Sequence, residues 1–161
     1  MSGIINSVGN RSGIVNNQTR PSFLVQSSAM TNLAINTMVT LEYDQVIQNV
    51  GGGTFSSFTY TAPVSGLYYI SALAFYTDLP NNLTDFRIYI ETTNRAYQMR
   101  YAEFINYQAT SSYYAGTFRN ATLVDLDATN TVKIQAYQYG GSATADLTTG
   151  SYFGGFLVSN Y

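Results

Sequence analysis

With no histidine and no cysteine in the chain, its reactive chemistry rests on carboxylates. Glu91 and Glu103 are one candidate pair. Two carboxylates flanking a glycosidic bond are the machinery of a glycosidase, one protonating the leaving oxygen while the other acts as base or nucleophile, and such a pair would suit a polysaccharide-degrading enzyme. The competing reading, preferred here, pairs both with Arg87, Arg95 or Arg100 on exposed strands. Asp125 and Asp127 are spaced to share one face of a strand and, with Asp146, offer oxygen ligands of the kind Ca²⁺ takes. The competing reading is a solvated strand edge, so no cofactor is expected. Serines and threonines are plentiful, but without histidine the usual acyl-transfer arrangement cannot form. The expectation is a protein that is not an enzyme.

Charge narrows the partners. Only 10% of residues are charged and the net charge is −2, so there is no basic field to hold a phosphate backbone, and nucleic acid is not an expected partner. No run approaches the roughly 20 apolar residues of a membrane-spanning helix, and the first residues lack a cationic start and a sustained apolar stretch. Neither membrane insertion nor conventional secretion is expected. Fifteen tyrosines against no tryptophan supply rigid contact surfaces with a polar tip, suited to packing and to recognition of sugar or protein.

The elements that must position these groups read as strands. In Gly66 to Tyr76, GLYYISALAFY, one face carries Tyr68, Ile70, Ala72, Ala74 and Tyr76, and the other Tyr69, Ser71, Leu73 and Phe75. A strand on the surface of a lone sandwich alternates apolar with polar. One that is apolar on both faces needs a cover on each side, and in a small all-β protein that second cover is another copy of the chain. Further strands are expected near 22–27, 31–40, 42–49, 55–61, 84–92, 95–104, 112–124, 130–139 and 151–158, separated by clusters such as Asn49 to Gly53, Pro80 to Asn82 and Gly140 to Ser142. Ten strands without a convincing amphipathic helix point to an all-β sandwich or jelly roll. The loop from Gly140 to Thr149, small and polar, is the expected variable tip.

Two regions differ in character. Residues 1–19 are rich in Gly, Asn and Ser and contain an imperfect repeat, Ser2-Gly3-Ile4-Ile5-Asn6 and Ser12-Gly13-Ile14-Val15-Asn16. They read as a flexible leader or as a docking arm that inserts Ile4, Ile5, Ile14 and Val15 into a larger assembly. Residues 20–161 form the folded domain.

The ordered succession Tyr43-Asp44-Gln45-Val46-Ile47-Gln48-Asn49-Val50-Gly51-Gly52, then Phe55, Phe58, Ala62-Pro63, Gly66-Leu67-Tyr68-Tyr69-Ile70-Ser71, and Ser151-Tyr152-Phe153-Gly154-Gly155-Phe156-Leu157-Val158, resembles the C1q domain of the C1q/tumour-necrosis-factor superfamily. That resemblance spans roughly residues 20–161. It implies a ten-strand jelly roll assembled as a tight homotrimer, and calcium occurs in some such domains. The chain departs from the family at Asp127-Ala128-Thr129-Asn130, where a Gly-Asp turn is common, and it has no collagen-like stalk. Complement-style partners are therefore not assumed.

For the trimer, the expected interface is Tyr69, Leu73 and Phe75 from the central strand with Tyr152, Phe156 and Val158 from the last, leaving Phe153 and Leu157 to the core. Burying the first three about offsets the cost of two association steps, and the last strand tips the sum toward assembly. Gly154 and Gly155 are expected to make room for a neighbouring subunit's aromatic ring. Similar domains occur in phage fibres and surface proteins. The expected function is that of a virion structural or adhesion protein, of capsid-decoration, fibre-head or tail-fibre type, located at the particle surface. Its expected partners are other virion proteins, reached through the arm, and a host-surface glycan or protein. The alternative is a free soluble ligand-binding module, and a remoter one the polysaccharide-degrading enzyme.

Overall fold

The computed structural model describes residues 20–102 and 113–161. Glu103 and the arm residues Ile4, Ile5, Ile14 and Val15 lie outside the described residues. The described strands pair antiparallel into two sheets. The first contains β1 (Ser22–Ser27), β3 (Tyr43–Val50), β6 (Gly66–Pro80), β9 (Tyr113–Leu126), β11 (Asp146–Leu147) and β12 (Tyr152–Ser159). β6 is its axis, taking β12 and the short β11 end to end along one edge and β9 along the other, while β1 joins β12 to β3. The second contains β2 (Met38–Thr40), β4 (Thr54–Ser56), β5 (Thr59–Thr61), β7 (Leu83–Thr92), β8 (Ala96–Ala102) and β10 (Thr131–Gly140), with β10 at its centre.

Period-two patterning decides which face turns inward. Along β6 the set Tyr68, Ile70, Ala72, Ala74 and Tyr76 is buried, as the alternation of that run predicts. Phe153 and Leu157 of β12 are buried with it. Aromatic rings stitch the sheets together. Phe23 stacks on Tyr60 across the sandwich at 3.9 Å, and Tyr76 meets Phe86 edge-on at 4.7 Å, distances at which ring pairs add to simple area burial. The Tyr43 hydroxyl crosses the core floor to donate to the Leu73 carbonyl at 3.1 Å.

Three expectations about the strands need correction. The ten-strand count does not match the twelve strands described. The run 55–61 is a hairpin, because Ser57 and Phe58 both adopt positive φ (49° and 62°) and form a two-residue turn of the twist that hairpins favour. The run 31–40 is strand only at Met38–Thr40, since Asn32 and Asn36 take the left-handed conformation asparagine tolerates and so break the extended chain. The added strand β11 falls within the segment read as a variable tip. That segment is pinned instead, with Ala145 and Leu147 buried, the Leu33 N–H donating to the Ala145 carbonyl, and Met30 and Leu147 exchanging backbone bonds.

Gly154 and Gly155 are also explained within the chain rather than by a neighbour's ring. A Cβ on Gly155 would lie 2.5 Å from Ile70 Cδ1 and 2.6 Å from the Tyr69 carbonyl oxygen, and one on Gly154 would lie 2.9 Å from the Phe23 carbonyl oxygen. Paired backbone on both sides leaves nowhere for the strands to move. Gly155→Val is therefore expected to cost about 3 kcal/mol of stability, at the upper end of overpacking penalties. Urea titration checks it: the midpoint falls while the slope against denaturant stays constant.

Candidate functional site

Register builds a broad site on the outer face of the first sheet. Three cross-strand rows run over β1, β12, β6 and β9. One row is Ser22, Phe156, Tyr69 and Leu123, the next Leu24, Gly154, Ser71 and Ala121, and the third Gln26, Tyr152, Leu73 and Arg119. The middle row is mostly small residues between two rows of large ones. The result is a trench of about 400 Å³ floored by Gly154, Ser71 and Ala121 and walled by Leu24, Leu73 and Tyr152. Phe156 is 47% exposed and Leu123 50%, and the Tyr69 and Phe156 rings lie 5.3 Å apart.

The structure brings the six expected interface residues onto this one face, with Tyr152 opposite Leu73 and Phe156 opposite Tyr69. Tyr69, Tyr152, Phe156 and Val158 are exposed in the single chain, whereas Leu73 and Phe75 are half-buried. Leu24 and Leu123 belong to the same surface and escaped the sequence reading. Period-two parity within 22–27 and 112–124 carried the signal, but only pairing shows that those outward positions join β6. Among the exposed residues of β6, β9 and β12 described here, Asp78, Arg119 and Asp125 are the charged ones, with Arg119 and Asp125 separated along the outward side of β9.

The carboxylates do not converge. Asp125 stands opposite Leu67 at one end of β6, whereas Asp146 stands opposite Thr77 near the other, about 30 Å of strand away. The expected triad of Asp125, Asp127 and Asp146 is corrected accordingly. Asp146 instead accepts the Asn32 N–H at 2.7 Å. Among the described residues no group of three or more acidic, His or Cys side chains is gathered to hold a metal ion. Among the described residues the ion-pair partner of Glu91 is Lys133, across the ladder with 3.5 Å between Oε2 and Nζ, rather than Arg87 or Arg95. Arg87 pairs with Asp85, two residues before it on the same face of β7, and Arg95 sits over the Tyr97 ring at 6.0 Å.

The outer face of the second sheet gathers a smaller polar and aromatic cluster. Met38, Tyr137 and Arg87 form a row across β2, β10 and β7, flanked by Tyr139 and Tyr89. These five residues line a depression of about 300 Å³. Hydrogen bonds donated by the guanidinium of Arg87 to the Tyr89 and Asp85 side chains stabilise its charged form and raise its pKa.

Two antiparallel sheets packed face to face, with β6 central to one and β10 to the other, define a jelly roll of the C1q/TNF-like kind. The globular domain of zebrafish complement 1qA protein superposes with a TM-score of 0.62 at 15% identity, covering 88% of this chain and 99% of that one. Murine APRIL superposes with a TM-score of 0.55 at 12% identity, covering 87% and 99% respectively. At these identities the likeness establishes the fold alone. No family model and no curated protein sequence matches the chain.

Proposed function

We propose that this chain is a non-catalytic binding and assembly module that works as a homotrimer joined through the outer face of its first sheet. The observation that carries the reading is the trench. Large apolar residues stand exposed on both sides of a row of small ones, a contiguous patch of a kind monomeric proteins rarely leave in water. A second copy is the occupant that fits. The face holds both a ridge and a groove of matching chemistry, and Arg119 and Asp125 place opposite charges at separate points, so a copy rotated about an axis can set one against the other. Sedimentation equilibrium at micromolar concentration tests this. A species of three times 17.7 kDa is expected, and a stable monomer would refute the trimer.

We place the module at the surface of a virus particle, with residues 1–19 as the docking arm, as a capsid-decorating or fibre protein. Support comes from composition: no cysteine, few charges, abundant Tyr, and a repeated Ser-Gly-Ile-Ile/Val-Asn segment ahead of the domain. Deleting residues 1–19 is expected to leave the domain folded and assembled while abolishing co-purification with particles. Retained attachment would move the docking function elsewhere.

A further inference from the structure

Assembly through the first sheet leaves the outer face of the second one turned to solvent, and there the Tyr137, Tyr139, Arg87, Tyr89 and Met38 cluster has no role in the fold's core. Tyr139 is 49% exposed, and Met38 is exposed as well. The rings of Tyr137 and Tyr139 run nearly parallel, 22° apart, with centroids 6.3 Å from each other, at the loose end of the range in which aromatic pairs hold one another. Beside them the Asp85 carboxylate accepts from Arg87 Nε, and Tyr89 steadies the same guanidinium from the other side. Among the described residues the second oxygen of Asp85, Oδ1, has no donor although the residue is buried.

We propose that this depression is a binding site for a neutral saccharide. Ring faces carry negative quadrupole density and attract the partly positive C–H face of a pyranose, while the guanidinium of Arg87, held by the buried Asp85 beneath it, donates to sugar hydroxyls and the tyrosine hydroxyls can donate or accept. Charge selects against ionic ligands. Arg87 and Asp85 cancel, as do Lys133 and Glu91 farther along the same ladder, so neither an acidic nor a basic ligand gains net attraction. Size points the same way, since about 300 Å³ lies at the small end of the range for small-molecule pockets. The site rests on the binding reading above only in taking this sheet as the solvent-facing one, for its residues all come from one chain.

Saturation-transfer NMR on the full chain tests it, with maltose, cellobiose, lactose and mannobiose as neutral probes and 3′-sialyllactose as a charged one. Transfer to ring C–H protons of at least one neutral disaccharide is expected. Binding should weaken roughly tenfold in Tyr139→Ala, the loss of one aromatic contact. The exposure of Tyr139 keeps that variant folded. A chain altered only on the first sheet, Tyr69→Glu with Phe156→Glu, should bind the same sugar unchanged whether or not it assembles, which separates failure of this site from failure of the trimer. No transfer to any neutral probe, transfer indifferent to Tyr139→Ala, or preference for 3′-sialyllactose would overturn the proposal.

Discussion

Replacing Tyr69 and Phe156 together by glutamate is expected to leave a folded chain that no longer assembles. The two residues face each other across the β6 and β12 ladder. Each is already substantially exposed in the single chain, 36% and 47%, so a glutamate there stays hydrated and costs the monomer little, within about 1 kcal/mol. In a trimer the same change forces six carboxylates into an apolar seam where, among the described residues, the cations are Arg119 on β9 and Arg20, which already donates to the Val158 carbonyl. Desolvating each costs several kcal/mol, so association should weaken by at least roughly a thousandfold. Sedimentation would then report 17.7 kDa, with circular dichroism and urea midpoint close to wild type. Gln98→Glu, an exposed site on the second sheet, should leave the mass unchanged. A double variant that remains assembled would show that another surface holds the copies together.

Much of the fold was legible because strand parity is local. The alternation of Gly66 to Tyr76 placed Tyr68, Ile70 and Tyr76 inside before any pairing was known, and the same parity set Phe153 and Leu157 inside with Tyr152 and Phe156 outside. What the chain could not announce is set by partners distant in sequence. The positive φ of Ser57 and Phe58 carries no glycine or asparagine signal, so the β4 and β5 hairpin read as one strand. Asp125 and Asp146 look close in sequence, yet β10 carries the chain away before β11 returns at the other end of β6. The trench needs Leu24, Gly154, Ser71 and Ala121 in one row, and those residues come from four strands whose register is purely tertiary. Glycine at 154 read as a gap for a foreign ring because the approach of the chain's own Phe23 carbonyl is invisible without that register.

The deep tyrosines set a limit on alkaline stability. Burial holds the phenols of Tyr43 and Tyr76 protonated well above their ordinary 10.0, and Tyr60 is shifted the same way. The cause is physical and uncompensated. A Tyr76 phenolate would have no donor, since its hydroxyl has no hydrogen-bond partner among the described residues, and a Tyr43 phenolate would lose its bond to the Leu73 carbonyl and face that oxygen with a charge. The unfolded chain releases these protons from about pH 10 upward while the folded chain keeps them, so the unfolded state binds fewer protons and stability falls as pH rises. Below pH 10 both states hold the proton and this loss is absent. Above it each of Tyr43 and Tyr76 removes up to about 1.4 kcal/mol per pH unit, enough together to unfold a domain of ordinary stability within two to three units. Tyrosinate absorbance and circular dichroism followed from about pH 9 upward should therefore show a late ionisation step coincident with loss of sheet signal. Tyr76→Phe removes an orphaned hydroxyl, so it should be neutral or stabilising near pH 7 and should move the alkaline transition to higher pH. Tyr43→Phe should move the transition the same way but cost about 1 kcal/mol near pH 7, the net worth of its hydrogen bond. If the two phenols ionise with the sheet signal intact, water reaches them in the folded state and the core is looser than its packing implies.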